Sequence, residues 1–379
     1  ALLVFSIYKL FVWGLIVPPP KSISEFLRYT IVRERDAIFG FLLVIPIYLL
    51  AVKDLKYLIQ VIIVSSTIIL ILIFTSILTD FNIIPITIMG RYREISTFRL
   101  ITGGYQALMM VLPVYIVLSI TRLRLTRKRI ALTGTILTIL HSIISLTKTV
   151  YILTVGNFIG AVAFISIILK KGINKKILNV LVVVFLAFII LNVIFPSYTE
   201  VSSRVFSDIY LLALEGETSD ESTSRIWQIE ALTFEIKSHP ILGTGQGYEQ
   251  LSNKFNIHQW DATDFPLLAH IMQYGIVGIG LYLIYFYLVF NLIRLIIKTF
   301  KSMDLIIIFT AFKFELIIAT VSISYFVAYL SLPHAYFIEM TRGVSRIEMT
   351  VHTALLLACW ERIRIKLHGM SYNDFRRVE

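Results

Sequence analysis

The residues best suited to chemistry lie in one polar stretch, 222–247, which reads STSRIWQIEALTFEIKSHPILGTGQG. Arg225 opens an apolar pattern at helical spacing, which predicts a short amphipathic helix lying across a surface. Pro240 is expected to end that helix, and Gly243 and Gly245 then allow backbone angles that are closed to other residues. Spaced glycines beside an arginine let backbone N–H groups approach an anionic ligand.

The chain that must position this stretch is dominated by apolar residues, which make up 57% of the sequence. A soluble globular protein of this length could not hide so much apolar surface. Because a bilayer crossing needs roughly 20 apolar residues, the sequence predicts about ten helical spans. It therefore predicts an all-α, polytopic membrane helix bundle. The spans are expected near residues 1–17, 37–52, 57–79, 101–120, 130–146, 149–169, 176–195, 264–297, 305–331 and 347–363.

Basic residues of the short loops predict the orientation of the bundle. They recur on alternate connections, and short loops rich in Lys and Arg favour the cytoplasmic side. This cytoplasmic set comprises Lys53, Lys56, Arg122, Arg124, Arg127, Lys128, Arg129, Lys170, Lys171, Lys175, Lys176, Arg294, Lys298, Lys301, Arg362, Arg364 and Lys366. The predicted organisation is an N-terminal bundle, 1–195, a large and partly helical extracytoplasmic loop, 196–263, a C-terminal bundle, 264–363, and a basic cytoplasmic tail, 364–379.

The same alternation places several cations on the outer side, against the positive-inside tendency. They are Arg91, Arg93, Arg99, Lys148, Arg225, Arg342 and Arg346. An anion at the outer leaflet would account for them, because guanidinium groups bind phosphate oxygens in pairs. In the alternative interpretation, each side chain extends to lipid head groups or pairs with a nearby carboxylate. Both remain open for a single cation, and the complete set favours the anion.

Asp264 stands where the long span 264–297 begins. Followed by Pro266, it suits the N-cap of a helix. The apolar run to Ile297 is longer than a straight crossing needs, so the span is either tilted or stands above the outer face. Asp264 is then near the outer interface, where its carboxylate can also act on a substrate. The two roles are compatible.

Several other residues of the predicted spans have structural explanations. Lys313 and Glu315 form either a pair that satisfies its own charges or a transport relay, and the pair is favoured. His270 is a lone histidine, and lone histidines are usually structural. Gly275 and Gly278 favour close helix packing over ligand binding.

Several classes of function are disfavoured by what the sequence lacks. It contains no HExxH helix, no GxxxxGK[S/T] loop and no GxSxG elbow. Asp261 and Asp264 alone make a poor cation site, so neither a metal nor another cofactor is expected. The single cysteine, Cys359, cannot build a disulfide framework. The formal charge of +11 lies beside the spans, where basic residues meet anionic lipids rather than nucleic acid.

Four islands of sequence together resemble the shared region of bacterial O-antigen ligases and of O-antigen or capsule polymerases. The core island matches the family's loop arginine, tryptophan and HPxxGxG turn at Arg225, Trp227, His239, Pro240, Gly243 and Gly245. The island RLITGGYQALMM places the family arginine at Arg99, and SLTKTVYILTVGNFIG carries Lys148 where an arginine is usual. The fourth island, TDFPLLAHIMQYGIVG, has Asp264 at the position of the ligase histidine, and polymerase-type relatives often carry Asp there.

This resemblance implies a membrane glycosyltransferase of the GT-C type, inverting and independent of metal. It would polymerise oligosaccharide repeat units linked to undecaprenyl diphosphate, at the outer face of the bacterial cytoplasmic membrane. Asp264 and Arg225 would be catalytic, and Arg91, Arg99, Lys148 and Arg225 would bind the diphosphate. His239, His270 and Arg342 are secondary candidates.

The implied partners are lipid-linked donor and acceptor oligosaccharides, membrane lipids, and the chain-length regulator and flippase of the same pathway. Two alternatives stay open. One is an O-antigen ligase that transfers polymer to lipid A core, and the other is a flippase or another transporter of lipid-linked sugars.

Overall fold

The computed structural model of the chain describes residues 42–78, 105–120, 133–139, 148–169, 232–243, 266–330 and 343–369. Within these ranges the backbone is helical apart from short turns, and they contain no strand. The all-α prediction is therefore confirmed for the described residues. Their helices are α1 (Leu42–Lys53), α2 (Leu55–Leu78), α3 (Tyr105–Ile120), α4 (133–139), α5 (Lys148–Leu169), α6 (232–238), α7 (Pro266–Ser302), α8 (Leu305–Thr310), α9 (Lys313–Leu330) and α10 (Gly343–Gly369).

One described helical stretch has the length and composition of a membrane crossing. This stretch is Gly275–Ser302, with 28 residues and a mean hydropathy of 2.2. Three shorter apolar helices are Leu42–Lys53, Leu55–Ile68 and Leu153–Leu169. The polytopic bundle of about ten spans stays a prediction. The predicted spans near 1–17 and 176–195 lie outside the described residues.

Two predicted spans differ in detail from the helices observed. The helix predicted over 264–297 begins at Pro266 and contains a sharp break at Gly275. The span predicted over 305–331 consists of α8 and α9, separated by a turn at 311–312. Asp304 caps the first of these two, since its side chain accepts a hydrogen bond from Ile306 N at 2.8 Å.

The chain divides into two units. Unit 1 comprises Ala1–Leu49, Thr218–Ile293 and Leu332–Ala354, and unit 2 comprises Leu50–Glu217, Arg294–Ser331 and Leu355–Glu379. Unit 1 holds the turn that follows α6 and the greater part of α7, which together form the candidate site below.

The core of unit 2 is built around α9. This helix is buried continuously from Glu315 to Phe326, and it packs against α2, α3 and α5. A helix that is apolar on all sides must be covered on all sides, by protein or by lipid. Two of its buried hydroxyl groups donate within the helix: Thr320 to Leu316 O at 2.7 Å and Ser324 to Val321 O at 3.1 Å.

A buried charge cluster joins α9 to α10 in unit 2. Glu315 is fully buried, and its Oε1 lies 2.7 Å from Arg362 Nε and 2.9 Å from Lys366 Nζ. The expected pairing of Glu315 with Lys313 is wrong, because residues two apart on a helix do not face each other. Lys313 instead lies over the ring of Phe314, with its Nζ 5.1 Å from the ring centroid.

The same cluster connects chain segments to which the charge pattern assigns a common side. Arg362 Nη1 donates to the carbonyl of Val52, next to the predicted cytoplasmic Lys53. Lys366 Nζ donates to the carbonyl of Ala311, at the turn before α9. These contacts require the end of α1, the start of α9 and the end of α10 to share one end of unit 2. The side of the membrane on which that end lies stays a prediction.

Close packing of α5 against α9 depends on Gly160. A Cβ added at Gly160 would lie 2.9 Å from Ser324 Cα and 2.9 Å from Val327 Cβ. We expect Gly160→Val to lower the free energy of unfolding by about 1–3 kcal/mol, the usual cost of overpacking a core. Thermal unfolding in detergent measures this change. Gly280→Val is the control, because a Cβ at Gly280 meets nothing within 4 Å, and equal stability of the two variants would contradict close packing at Gly160.

Candidate functional site

The described part of the candidate site begins with the turn 239–243, which directly follows α6. His239 N donates to Glu235 O at 2.9 Å, and Gly243 N donates to His239 O at 3.0 Å. Gly243 has a φ of 74°, in the left-handed region that glycine adopts at least cost. The helix ends before Pro240, and the predicted His-Pro stop and glycine turn are confirmed over these residues.

The second element of the site is the break in α7 at Gly275. Its φ of 59° and ψ of −167° fall in a region of backbone space that is essentially restricted to glycine. The break separates a short first segment from the long apolar stretch Gly275–Ser302. The backbone conformation at position 275 therefore requires a glycine, whatever packs against it.

The turn 239–243 and the break in α7 contact each other through their backbones. Ile276 N donates to Pro240 O at 3.0 Å, and Val277 N donates to Ile241 O at 3.2 Å. A Cβ on Gly275 would lie 2.6 Å from Gly243 N and closer still to the carbonyl of Ile241. Gly275 thus permits close packing as the sequence predicted, but the partner is a turn rather than another helix.

These hydrogen bonds determine which groups are available to an anion. A helix that restarts after a break presents N–H groups that favour negative charge. Here the N–H groups of Ile276 and Val277 already donate to the turn. They are therefore unavailable to a phosphate, and an anion bound near the break needs charged side chains.

The sequence-predicted site residues are only partly described. His239 and Gly243 lie in the turn, and the partly exposed imidazole of His239 follows the end of α6. Lys148 is the first residue of α5, and His270 lies in α7 before Gly275; only the backbone of these two is described. The residues outside the described ranges are Arg91, Arg99, Arg225, Asp261, Asp264, Gly245 and Arg342. The convergence of Arg99, Lys148 and Arg225 on one pocket stays a prediction.

A polar contact further along α7 was not predicted from the sequence. Tyr285 OH lies 2.6 Å from Thr353 Oγ1, and Thr353 Oγ1 donates to Met349 O at 2.7 Å. Because a threonine hydroxyl has one hydrogen, Tyr285 is the donor to Thr353. This directed chain of hydrogen bonds ties α7 to α10 within unit 1.

Comparisons of the chain with protein-family models, curated proteins and solved structures find no match.

Gly275→Ala is expected to lower the free energy of unfolding by about 2–3 kcal/mol, since a Cβ requires both a strained backbone and displacement of Ile241. Denaturant titration of the purified protein measures this loss. The matched control is Gly280→Ala, five positions further along the same helix, where the added methyl meets nothing and helix propensity improves. If Gly275→Ala were as stable as Gly280→Ala, the contact between turn and break would be contradicted.

Proposed function

We propose that this protein polymerises lipid-linked oligosaccharide repeat units at the outer face of a bacterial cytoplasmic membrane. In each cycle the growing glycan leaves its undecaprenyl diphosphate and joins a hydroxyl group of the next lipid-linked repeat unit. The protein acts as a multi-pass membrane glycosyltransferase, and its diphosphate site and acceptor site face outward.

One observation carries this proposal. The two islands that resemble the core and the acceptor region of the polymerase family, HPILG at 239–243 and QYGIVG at 273–278, contact each other through backbone hydrogen bonds. In the sequence, Arg225 lies 14 residues before the first island, and Asp264 lies 11 residues before Gly275. A rigid contact between the two islands would fix the relative position of the segments that precede them. One segment carries Arg225, the proposed donor-binding cation, and the other carries Asp264, the proposed acceptor-orienting carboxylate.

The chemistry assigned to the cations follows from charge development. As the glycosidic C–O bond breaks, the diphosphate gains negative charge, and fixed cations in a site poor in water stabilise that transition state more than the ground state. Arg91, Arg99 and Arg225 offer forked donors that match phosphate oxygens in pairs. Lys148 contributes a point charge.

Asp264 is assigned to the acceptor. Its carboxylate orients the acceptor hydroxyl, whose oxygen attacks the anomeric carbon on the face opposite the leaving diphosphate. The hydroxyl proton passes to the carboxylate late, after the anomeric carbon has become cationic. A carboxylate is a weak base, so orientation contributes more than proton removal.

The experiment that tests this proposal uses the purified protein with a defined lipid-linked repeat unit, with and without lipid A core. A polymerase produces a ladder of lengthening glycans on lipid diphosphate when the core is absent. A ligase instead requires the core and transfers preformed polymer to it. A flippase moves the lipid-linked unit across a vesicle membrane without breaking a glycosidic bond.

A further inference from the structure

The turn 239–243 exposes large apolar side chains where a water-exposed loop would carry polar ones. Ile241 is 64% exposed and Leu242 is 38% exposed. Directly beside them on α7, Ile276 is 64% exposed, and the backbone hydrogen bonds hold the two segments together. These side chains form one apolar patch built from two separate parts of the chain.

This patch continues along one face of α7. Between Val277 and Ile293 the large apolar residues described as exposed are Leu283, Ile284, Tyr287, Leu288 and Phe290, which recur at helical spacing. The opposite face is buried and carries Tyr285, Val289 and Ile293. A stripe of this length without a charge is typical of a face covered by lipid hydrocarbon.

The position of the patch along the helix gives its depth. From Ile276 to Ile293 the helix carries no charged residue, and the exposed Arg294 and Lys298 follow. Gly275 and Arg294 are separated by about 28 Å along the axis at the helical rise per residue. This distance matches the roughly 30 Å of a bilayer's hydrocarbon core. When Arg294 lies at one boundary of the hydrocarbon core, Gly275 lies at the opposite boundary. The turn 239–243 is hydrogen-bonded to the two residues after Gly275, so it lies at the same depth as Gly275.

We propose that the turn 239–243 is a membrane anchor, whose Ile241 and Leu242 side chains insert between the acyl chains of the leaflet opposite the Arg294 end of α7. Part of the turn's backbone is protected there, because the carbonyl groups of Pro240 and Ile241 accept hydrogen bonds from the break in α7 and that of His239 accepts one from Gly243 N. Irregular backbone at this depth is tolerated only where its polar groups have such partners. The anchor would hold α6, which directly precedes the turn, at the level of lipid head groups.

The test measures the depth of spin labels in the full chain, reconstituted in vesicles of phosphatidylcholine and phosphatidylglycerol. Labels are placed separately by Ile241→Cys and Leu242→Cys, with Lys237→Cys as a control on the exposed face of α6. Cys359 is buried, and protein without a new cysteine gives the background labelling. Collisions with dissolved oxygen report contact with hydrocarbon, and collisions with a water-soluble nickel chelate report contact with water.

The proposal expects oxygen collisions to exceed nickel collisions at 241 and 242, and the reverse at 237. Nickel access at 241 and 242 equal to that at 237 would overturn it, and so would labels shielded from both reagents, which would indicate cover by protein or by a second copy.

A fourth label, from Leu283→Cys, separates this inference from the proposed function. Aqueous access at 283 would place α7 itself outside the lipid and contradict both, whereas hydrocarbon contact at 283 with water at 241 and 242 would reject the anchor alone. Each variant must retain the thermal transition of the unsubstituted protein, and the two turn positions provide independent readings.

Discussion

Glu315→Gln is expected to lower the free energy of unfolding by about 3 kcal/mol, because it leaves two cations without their shared counter-charge. Arg362 Nε and Lys366 Nζ both lie within 2.9 Å of Glu315 Oε1. Breaking a buried ion pair by removing one partner costs about 3–5 kcal/mol, and the lower figure applies here. The reason is that the Arg362 and Lys366 side chains keep 18% and 28% of their surface in contact with solvent. Denaturant titration in detergent micelles measures the change.

The matched control is Glu361→Gln on the same helix as the two cations. Glu361 pairs with Arg364 at 3.4 Å, and both side chains are more exposed than those of the buried cluster, at 36% and 54%. An exposed pair of this kind contributes about 0–1 kcal/mol. Similar losses for the two substitutions would mean that the buried cluster does not hold α9 against α10.

Asp264→Asn is expected to reduce chain extension by roughly 10²-fold or more while leaving stability nearly unchanged. Asparagine keeps a side-chain oxygen that can accept the same hydrogen bonds, and it keeps almost the same volume, but it lacks the carboxylate. Loss of extension with retained stability would therefore assign the carboxylate to the acceptor hydroxyl. Initial rates with lipid-linked donor and acceptor both supplied provide the measurement, alongside thermal unfolding of the same preparation.

Extension by Asp264→Asn at the parental rate would remove Asp264 from the active site. The remaining candidates would then be Asp261 and His270. Asp264→His provides a second comparison, because it introduces the residue type that the resemblance assigns to ligases at this register.

Local features of the fold were predictable from the sequence because they depend on neighbouring residues. Pro240 cannot continue a helix, and α6 ends before it. Gly243 was expected in a conformation closed to other residues, and its φ of 74° confirms this. Pro266 suits the first turn of a helix, and α7 begins there.

Contacts between distant segments were not predictable in the same way. Nothing near Gly275 in the sequence indicates that Pro240 and Ile241 will accept hydrogen bonds from the residues after it. The available signal was a glycine in the interior of an apolar helix, which marks either a break or a close approach. The partners of Glu315 were missed for the same reason. Arg362 and Lys366 stand four residues apart on one face of α10, a spacing that only becomes informative when a facing carboxylate is known.

The exposure of Ile241 and Leu242 also required the structure. In the sequence these residues are two apolar positions in a turn, and nothing in the neighbouring residues distinguishes burial from exposure. Their exposure beside Ile276 and Val277 is what connects the turn to the exposed apolar stripe of α7.

Transfer of the growing glycan from its lipid diphosphate to the next lipid-linked repeat unit determines the end at which the chain grows, and a pulse-chase experiment measures that direction of growth. Purified protein receives a brief pulse of radiolabelled repeat unit, then an excess of unlabelled unit, and stepwise digestion from the non-reducing end locates the label. We expect the label at the end far from the lipid, because each later unit is inserted next to the diphosphate carrier. Label that remains beside the lipid, or the absence of any product longer than one repeat unit, would rule out this transfer.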